Sequence, residues 1–350
     1  QECISAIAKD RKLSPDELED RIIPSLGLDA KGQRVFDYGD RQFNFVLGQD
    51  LKPMVRDEKG KARANLPKPT KKDNEELATQ ALADWKLLKK QIRETLKIQT
   101  VRLEQAMTAQ RRWQWQEFED LLANHPFMTH LVQRIIWAGY DKQNNLVQTF
   151  RLAEDRTYAD AEDEEISLQG IITVGIIHPV HLTIEQRSAW GETLSDYEII
   201  PPFPQINREI YAITPEEAET VELTRFKDIT IPGITLLRTM ESLGWLKGGL
   251  HDHGDFSVNY KYFPQADITA IIGDYEYQFV AQDSIYGDDA IDGCLFFPGK
   301  TEQPYEYPSP GSWYDKNHFK GSHLKLKNVD ALVMSEVLRD LYIVTSKANN

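Results

Sequence analysis

Cysteine is almost missing from this chain: Cys3 and Cys294 are the only two in 350 residues. They are too few for a disulfide framework and too far apart for a thiolate zinc cluster, so a reducing, cytoplasmic compartment is expected. Long apolar runs are missing too. No window approaches the roughly 18 uninterrupted apolar residues of a membrane span, and the N-terminus lacks a charged-then-apolar export pattern. Positive charge is in the minority, with 41 Lys and Arg against 55 Asp and Glu and a net charge of −14. Such a chain repels phosphate backbones and anionic lipid, so any nucleic-acid role must rest on a local patch. No phosphate-cradling glycine loop is present, Ser335 has no Gly-x-Ser-x-Gly elbow around it, and no repeat with a period of roughly 20 to 50 residues is evident. Enzyme status is left undecided by these absences.

What is there is enough for cores: 41% of the residues are hydrophobic, and the length suits about two domains. Ser14-Pro15-Asp16-Glu17 carries an N-cap, a first-turn proline and a capping-box carboxylate, predicting a helix that ends before Pro24. Residues 34–56 alternate as short antiparallel strands, and 57–74 read as a solvated connector. Leu77, Ala81, Trp85, Leu88, Ile92 and Leu96 fall on one side of a helix, with Lys86, Lys90, Arg93 and Lys97 nearly opposite. Helical character is expected from Trp113 to Asn124 and from Pro126 to Ile136. Strands are expected at 146–152 and 171–177, the latter ending at His178-Pro179. Thr183 with Gln186, and Thr214 with Glu217, make two more capping boxes, the second opening a helix to about Phe226. A helix at 234–243 stops at Gly244. Strands follow at 268–272, 275–281 and 294–297, then a helix at 330–341 and β character over 342–345. The pattern is α+β: 1–72 as a helix with a small β unit and linker, 73–243 as a central α+β domain with the long amphipathic helix, and 244–350 as a β-rich domain ending in a helix. Residue 1 is Gln, which reads as a piece of something longer.

Several strings together carry a resemblance. They are Trp113…Phe118…Leu121-Leu122…His125-Pro126, Trp137, Thr149-Phe150-Arg151-Leu152-Ala153-Glu154-Asp155, Gly175-Ile176-Ile177-His178-Pro179, Trp190-Gly191, Asp196-Tyr197-Glu198-Ile199 and Pro202-Phe203-Pro204-Gln205. A second block is Gly244-Trp245-Leu246-Lys247-Gly248, Asp252, Gly254 and Ser335 to Asp340. The chain resembles the C-terminal domain of unknown function in large MolR-like bacterial proteins, often accompanied by a WGR domain. The resemblance implies an interaction or regulatory module connected with molybdate-related regulation, whose partners are upstream domains of the same protein or another protein. It brings no catalytic residues.

Three clusters carry candidate chemistry. Residues 86–112 hold eight bases, with Lys89, Arg102, Arg111 and Arg112 extending the stripe, against Glu94 and Glu104. This face suits an acidic surface or, less readily, nucleic acid with Trp113 or Trp115 stacking on bases. An acidic run at 154–165 sets seven carboxylates against Arg156. On an extended segment His251, His253 and Asp255 project to one side. They would suit a divalent metal (Zn, Mn or Fe) completed by His318, His323, Asp274, Asp288 or Asp289, and hence a metal-dependent hydrolase or nucleotide-handling enzyme as the competing reading. His178 and His181 follow a buried strand, where a hydrogen-bonded structural histidine is the commoner case.

Overall fold

The computed structural model describes residues 2–48, 50–247, 258–273, 288–291, 293–300 and 323–348. The fold is α+β, in two compact units. One comprises Gln1–Met107, Arg112–Ile177 and Leu182–Asn207; the other comprises Thr108–Arg111, His178–His181 and Arg208–Asn350.

The first unit opens with α1 (Glu2–Asp10) and α2 (Pro15–Arg21), the latter held by the Ser14–Glu17 capping box. Strands β1 (Val35–Asp37), β2 (Gln42–Leu47), β3 (Pro53–Asp57) and β4 (Ala62–Arg63) form an antiparallel meander in chain order. The expected connector thus contains a strand. It also buries Leu66, and Pro67 accepts a hydrogen bond from the Tyr38 hydroxyl at 2.8 Å.

Helix α3 (Glu75–Thr108) runs 34 residues. Its Ala81, Trp85, Leu88 and Ile92 join Phe36, Tyr38, Phe43, Phe45 and Val55 of the meander in one core, with Phe36 edge-on to Trp85 at 5.4 Å. Leu77, expected on the inner face, is 42% exposed, and the buried face starts with the next residue, Ala78, and Ala81.

A second sheet has the order β5-β9-β6-β7-β8, built from β5 (Arg112–Gln114), β6 (Trp137–Tyr140), β7 (Leu146–Leu152), β8 (Tyr158–Ala159) and β9 (Thr173–Ile176). The helical character expected from Trp113 to Asn124 is present over 115–123, as the short α4 (Trp115–Phe118) and a π-helical turn at Glu119–Ala123, but Trp113 and Gln114 lie in β5. Pairing of Trp113 with Val174 sets the indole against Trp137 at 5.9 Å, and this packing outweighs the local helical pattern. Between Pro126 and Ile136 the regular helix is only α5 (Thr129–Val132). Strand β6 is buried on both faces: Trp137 packs into the main core, while Ala138 and Tyr140 meet Trp190 and Leu194 of α6 (Ile184–Asp196). Gln205 satisfies the strand ends, bonding Ile136 N and O and Ile177 O at 2.7–3.0 Å.

In the second unit α7 (Pro215–Ala218) starts at the Thr214 capping box but stops after one turn. Glu217 turns back onto Arg225, and β10 (Glu222–Leu223) pairs with a distant strand, so the helix expected to Phe226 is cut short. Strand β11 (Thr230–Pro232) leads into α8 (Gly233–Ser242) and β12 (Leu246–Lys247), followed by β13 (Val258–Phe263), β14 (Ile268–Gly273), β15 (Asp288–Ala290) and β16 (Cys294–Pro298). The main sheet has the order β10-β16-β14-β13-β12, and β11 pairs with β15. The strand expected at 275–281 lies outside the described residues. Helix α9 (Ala331–Thr345), capped by Asp330, lays Leu332, Val333, Val337, Leu338, Leu341 and Val344 on Ala270, Ile272, Phe296 and Trp245. Tyr342 to Thr345, expected as β, are the last helical turn. Burial of Val344 continues the helical stripe, and Tyr342 stacks on Tyr211 at 4.6 Å. No helix among the described residues is long and apolar enough to cross a membrane.

Candidate functional site

The basic stripe divides into two parts. Lys86, Lys90, Arg93 and Lys97 are exposed along α3. Among the described residues, the carboxylate nearest to any of them is Glu94, at 3.9 Å from Lys90 with both side chains largely in water. Exposed Leu87 (55%), Ile98 (57%) and Val101 (47%) occupy the adjoining strip of the same helix. The extending bases turn inward instead. Lys89 lies over the Trp85 ring, and Arg102 binds Glu19 and Asp20 at 2.6 and 2.7 Å. Arg112 covers the Tyr140 ring and donates to Asn144. The indoles considered for stacking on bases are inside the protein. Trp113 is 3% exposed and donates to Asp20 at 2.7 Å, while Trp115 packs on Phe118 and Tyr158.

The acidic run is folded into two tight turns around a cleft of about 720 Å³ in the first unit. Its walls come from α5 and the residues after it (Thr129, His130, Gln133, Arg134), the end of β7 and the β7–β8 turn (Arg151 to Thr157), the Asp163–Glu165 loop, Tyr197 and Lys31. Lys31 is carried by a turn in which Asp29 accepts from the Lys31 and Gln33 amides, each at 2.9 Å. Gly32 has φ +73°, and a Cβ there would lie 2.7 Å from the Pro126 carbonyl and 2.8 Å from His130 Nε2. Glycine is what lets this turn sit against α5. Arg151, 5% exposed, bonds Asp163 and lies over the Tyr197 ring. Burial, with Arg134 and Arg156 nearby, pushes the His130 imidazole below its ordinary range, so it is neutral at pH 7. In the sequence Arg156 stands only as the one base of the acidic run, and Arg134 belongs to none of the candidate clusters.

His178, Arg208 and Glu336 meet in the second unit, each at most 3% exposed. Glu336 accepts two bonds from Arg208 (2.7 and 2.6 Å) and one from His178 (3.0 Å). Burial alone would raise the Glu336 carboxyl, but the Arg208 and His178 contacts outweigh it and hold it well below the usual range. Burial lowers His178, so Arg208 supplies the counter-charge. Ser335 is buried and its hydroxyl accepts from Tyr211 N at 3.1 Å. Asp340 is likewise engaged, receiving Trp245 Nε1 at 2.9 Å and Lys261 Nζ at 2.8 Å. These are packed, satisfied networks that hold α9 in place.

His251, His253 and Asp255 lie outside the described residues, as do His318 and Asp274. His323 rests against Phe297, and Asp288 and Asp289 are in β15. Among the described residues no group of three or more His, Cys, Asp or Glu is placed to hold a metal. His125 is structural: its Nδ1 accepts from the Phe127 and Met128 amides, and Nε2 reaches Ile23 O at 3.1 Å.

A family model described as a domain of unknown function (DUF4132) matches residues 60–245. The chain is 34% identical over 269 residues to the uncharacterized protein YehI of Escherichia coli (strain K12), a match covering 75% of this chain and 22% of that protein. No solved structure matches it. With a family model covering more than half of its length, the chain belongs to the family defined by this domain of unknown function.

Proposed function

We propose that the chain is an interaction and regulatory module of a longer, MolR-like cytoplasmic protein, and that the outward face of α3 receives an acidic polypeptide surface, in the first place one elsewhere in that protein. The observation that carries this is the exposure of Lys86, Lys90, Arg93 and Lys97 beside Leu87, Ile98 and Val101 on one helix. Aliphatic residues next to unspent cations suit a protein partner, whose interface combines an apolar centre with a charged rim. A nucleic-acid face would combine its cations with exposed aromatic rings, and here both indoles are packed away. The net charge of −14 also works against a phosphate backbone. Connection with molybdate-related regulation, and with WGR companions, rests on the sequence resemblance.

Poly-glutamate and single-stranded DNA of equal charge are the test probes. The reading expects poly-glutamate to bind in preference, with binding that weakens steeply with salt and is lost in Lys90→Glu/Arg93→Glu. Preference for DNA, binding of neither, or binding unaffected by the double reversal overturns it.

A further inference from the structure

We propose that the cleft between α5 and the β7–β8 turn is a binding site for a small molecule bearing an oxyanion, carboxylate or phosphate, gripped by Arg134 and Arg156. The volume, about 720 Å³, is that of a small-molecule site.

Of the four carboxylates lining the cleft, Asp163 and Asp155 are spent on neighbours, and these two arginines are in no ion pair among the described residues. Asp163 is taken by Arg151 and by the Tyr197 hydroxyl, and Asp155 by the amide and hydroxyl of Thr157 at 3.0 and 2.7 Å. Arg134 donates only to the carbonyls of His130 and Gly48, and Arg156 only to Asn124 Oδ1 (3.0 Å) and the Ala30 carbonyl (3.3 Å). Neutral oxygens therefore aim the two guanidiniums, and Glu154 acts on Arg134 through space without bonding it. Neither makes an ion pair among the described residues. Arg134 Nε and Thr129 Oγ1, both on side chains lining the cleft, have no hydrogen-bond partner among the described residues.

The backbone sets where Arg156 stands. Arg156 sits at φ +71°, in the left-handed region, at the turn closed by Arg156 N to Ala153 O (3.1 Å) and Ala153 N to Thr157 O (2.9 Å). Glycine or asparagine is the ordinary residue for that position, and an arginine there holds a strained conformation. The left-handed turn places the Arg156 side chain on the cleft wall. Guanidinium pairs match the forked geometry of carboxylate and phosphate. Glu154 and Glu165, also on the walls, favour a ligand that presents hydroxyl or ammonium groups away from its oxyanion.

Arg156→Gly is the decisive variant, because it relieves the left-handed strain while removing the cation, and so should fold at least as well as the parent. Titration calorimetry with inorganic pyrophosphate and with succinate, on the parent, Arg156→Gly, Arg156→Lys and Arg134→Gln, is the experiment. The parent binds one of the two probes, which distinguishes a phosphate from a carboxylate site. Loss of one charge-assisted pair weakens that binding by at least ~10-fold in Arg156→Gly and Arg134→Gln, and by less in Arg156→Lys. Absence of binding by the parent to either probe at millimolar concentration, or equal affinity in Arg156→Gly with unchanged thermal stability, overturns the site. The α3 probes report on a different surface, so either proposal can fail alone.

Discussion

Replacement of Glu336 by Gln tests whether the His178–Arg208–Glu336 cluster is a structural brace. The carboxylate receives a bidentate grip from Arg208 at 2.7 and 2.6 Å and a third bond from His178, with all three groups out of contact with water. The amide keeps the shape but takes the Glu336 charge away from the buried Arg208 guanidinium it grips. Breaking a buried pair from one side costs about 3–5 kcal/mol, against a total stability of about 5–15 kcal/mol for an ordinary domain. With a urea slope of about 1–3 kcal/mol per molar, the midpoint of the second unit falls by at least ~1 M. Removing both charges tests the reasoning from the other side: Arg208→Met/Glu336→Leu should lie within about 1–2 kcal/mol of the parent, because neither charge of this pair is left behind. Urea unfolding followed by far-ultraviolet circular dichroism measures both. A Glu336→Gln variant within ~1 kcal/mol of the parent, or a double variant worse than the single, would refute the brace.

Four further outcomes follow. Burial keeps His178 neutral in the folded state, so stability from that site is present above the ordinary histidine value of about 6.5 and is lost as pH falls through it. Glu336, held low, adds acid sensitivity below about 4.5, while buried Asp340, held high, works in the opposite sense. Urea midpoints should decline from pH 7.5 to 5.5, and His178→Gln should flatten that slope. Ile92→Ala on the inner face of α3 should cost about 2–5 kcal/mol, whereas Lys90→Glu/Arg93→Glu on the outer face should change stability by no more than about 0.5 kcal/mol, both read by thermal melts. Gly139→Ala should cost about 1–3 kcal/mol, since the new Cβ would lie 2.1 Å from Ile171 Cδ1 in the middle of the second sheet. Metal analysis of the purified protein tests the competing enzyme reading: stoichiometric Zn, Mn or Fe that disappears in His253→Ala would favour it over the module.

Features set by neighbours in sequence were legible, and features set by partners far along the chain were not. The three capping boxes at Ser14, Thr183 and Thr214 form as their spacing predicts, because each closes its bonds within three residues. The α3 pattern was legible for the same reason: one face meets a core and the other meets water. Element ends depended on distant contacts. The Thr214 helix stops because Glu217 finds Arg225, and Trp113 leaves helical geometry to pair with β9 and reach Trp137. His178 and Glu336 were each noticed singly, but they are 158 residues apart and only the fold joins them. The cleft arginines gave no spacing signal, since their convergence depends on a left-handed turn at Arg156 and on the seat of the Gly32 turn against His130.

The docking role of α3 is tested most directly by lysine footprinting, comparing the chain alone with the same chain inside its full-length polypeptide. Lys86, Lys90 and Lys97 should acetylate readily in the isolated chain and be protected in the full-length protein, with Lys52, also exposed, serving as the reference. Equal reactivity of the three α3 lysines in both settings would contradict the account.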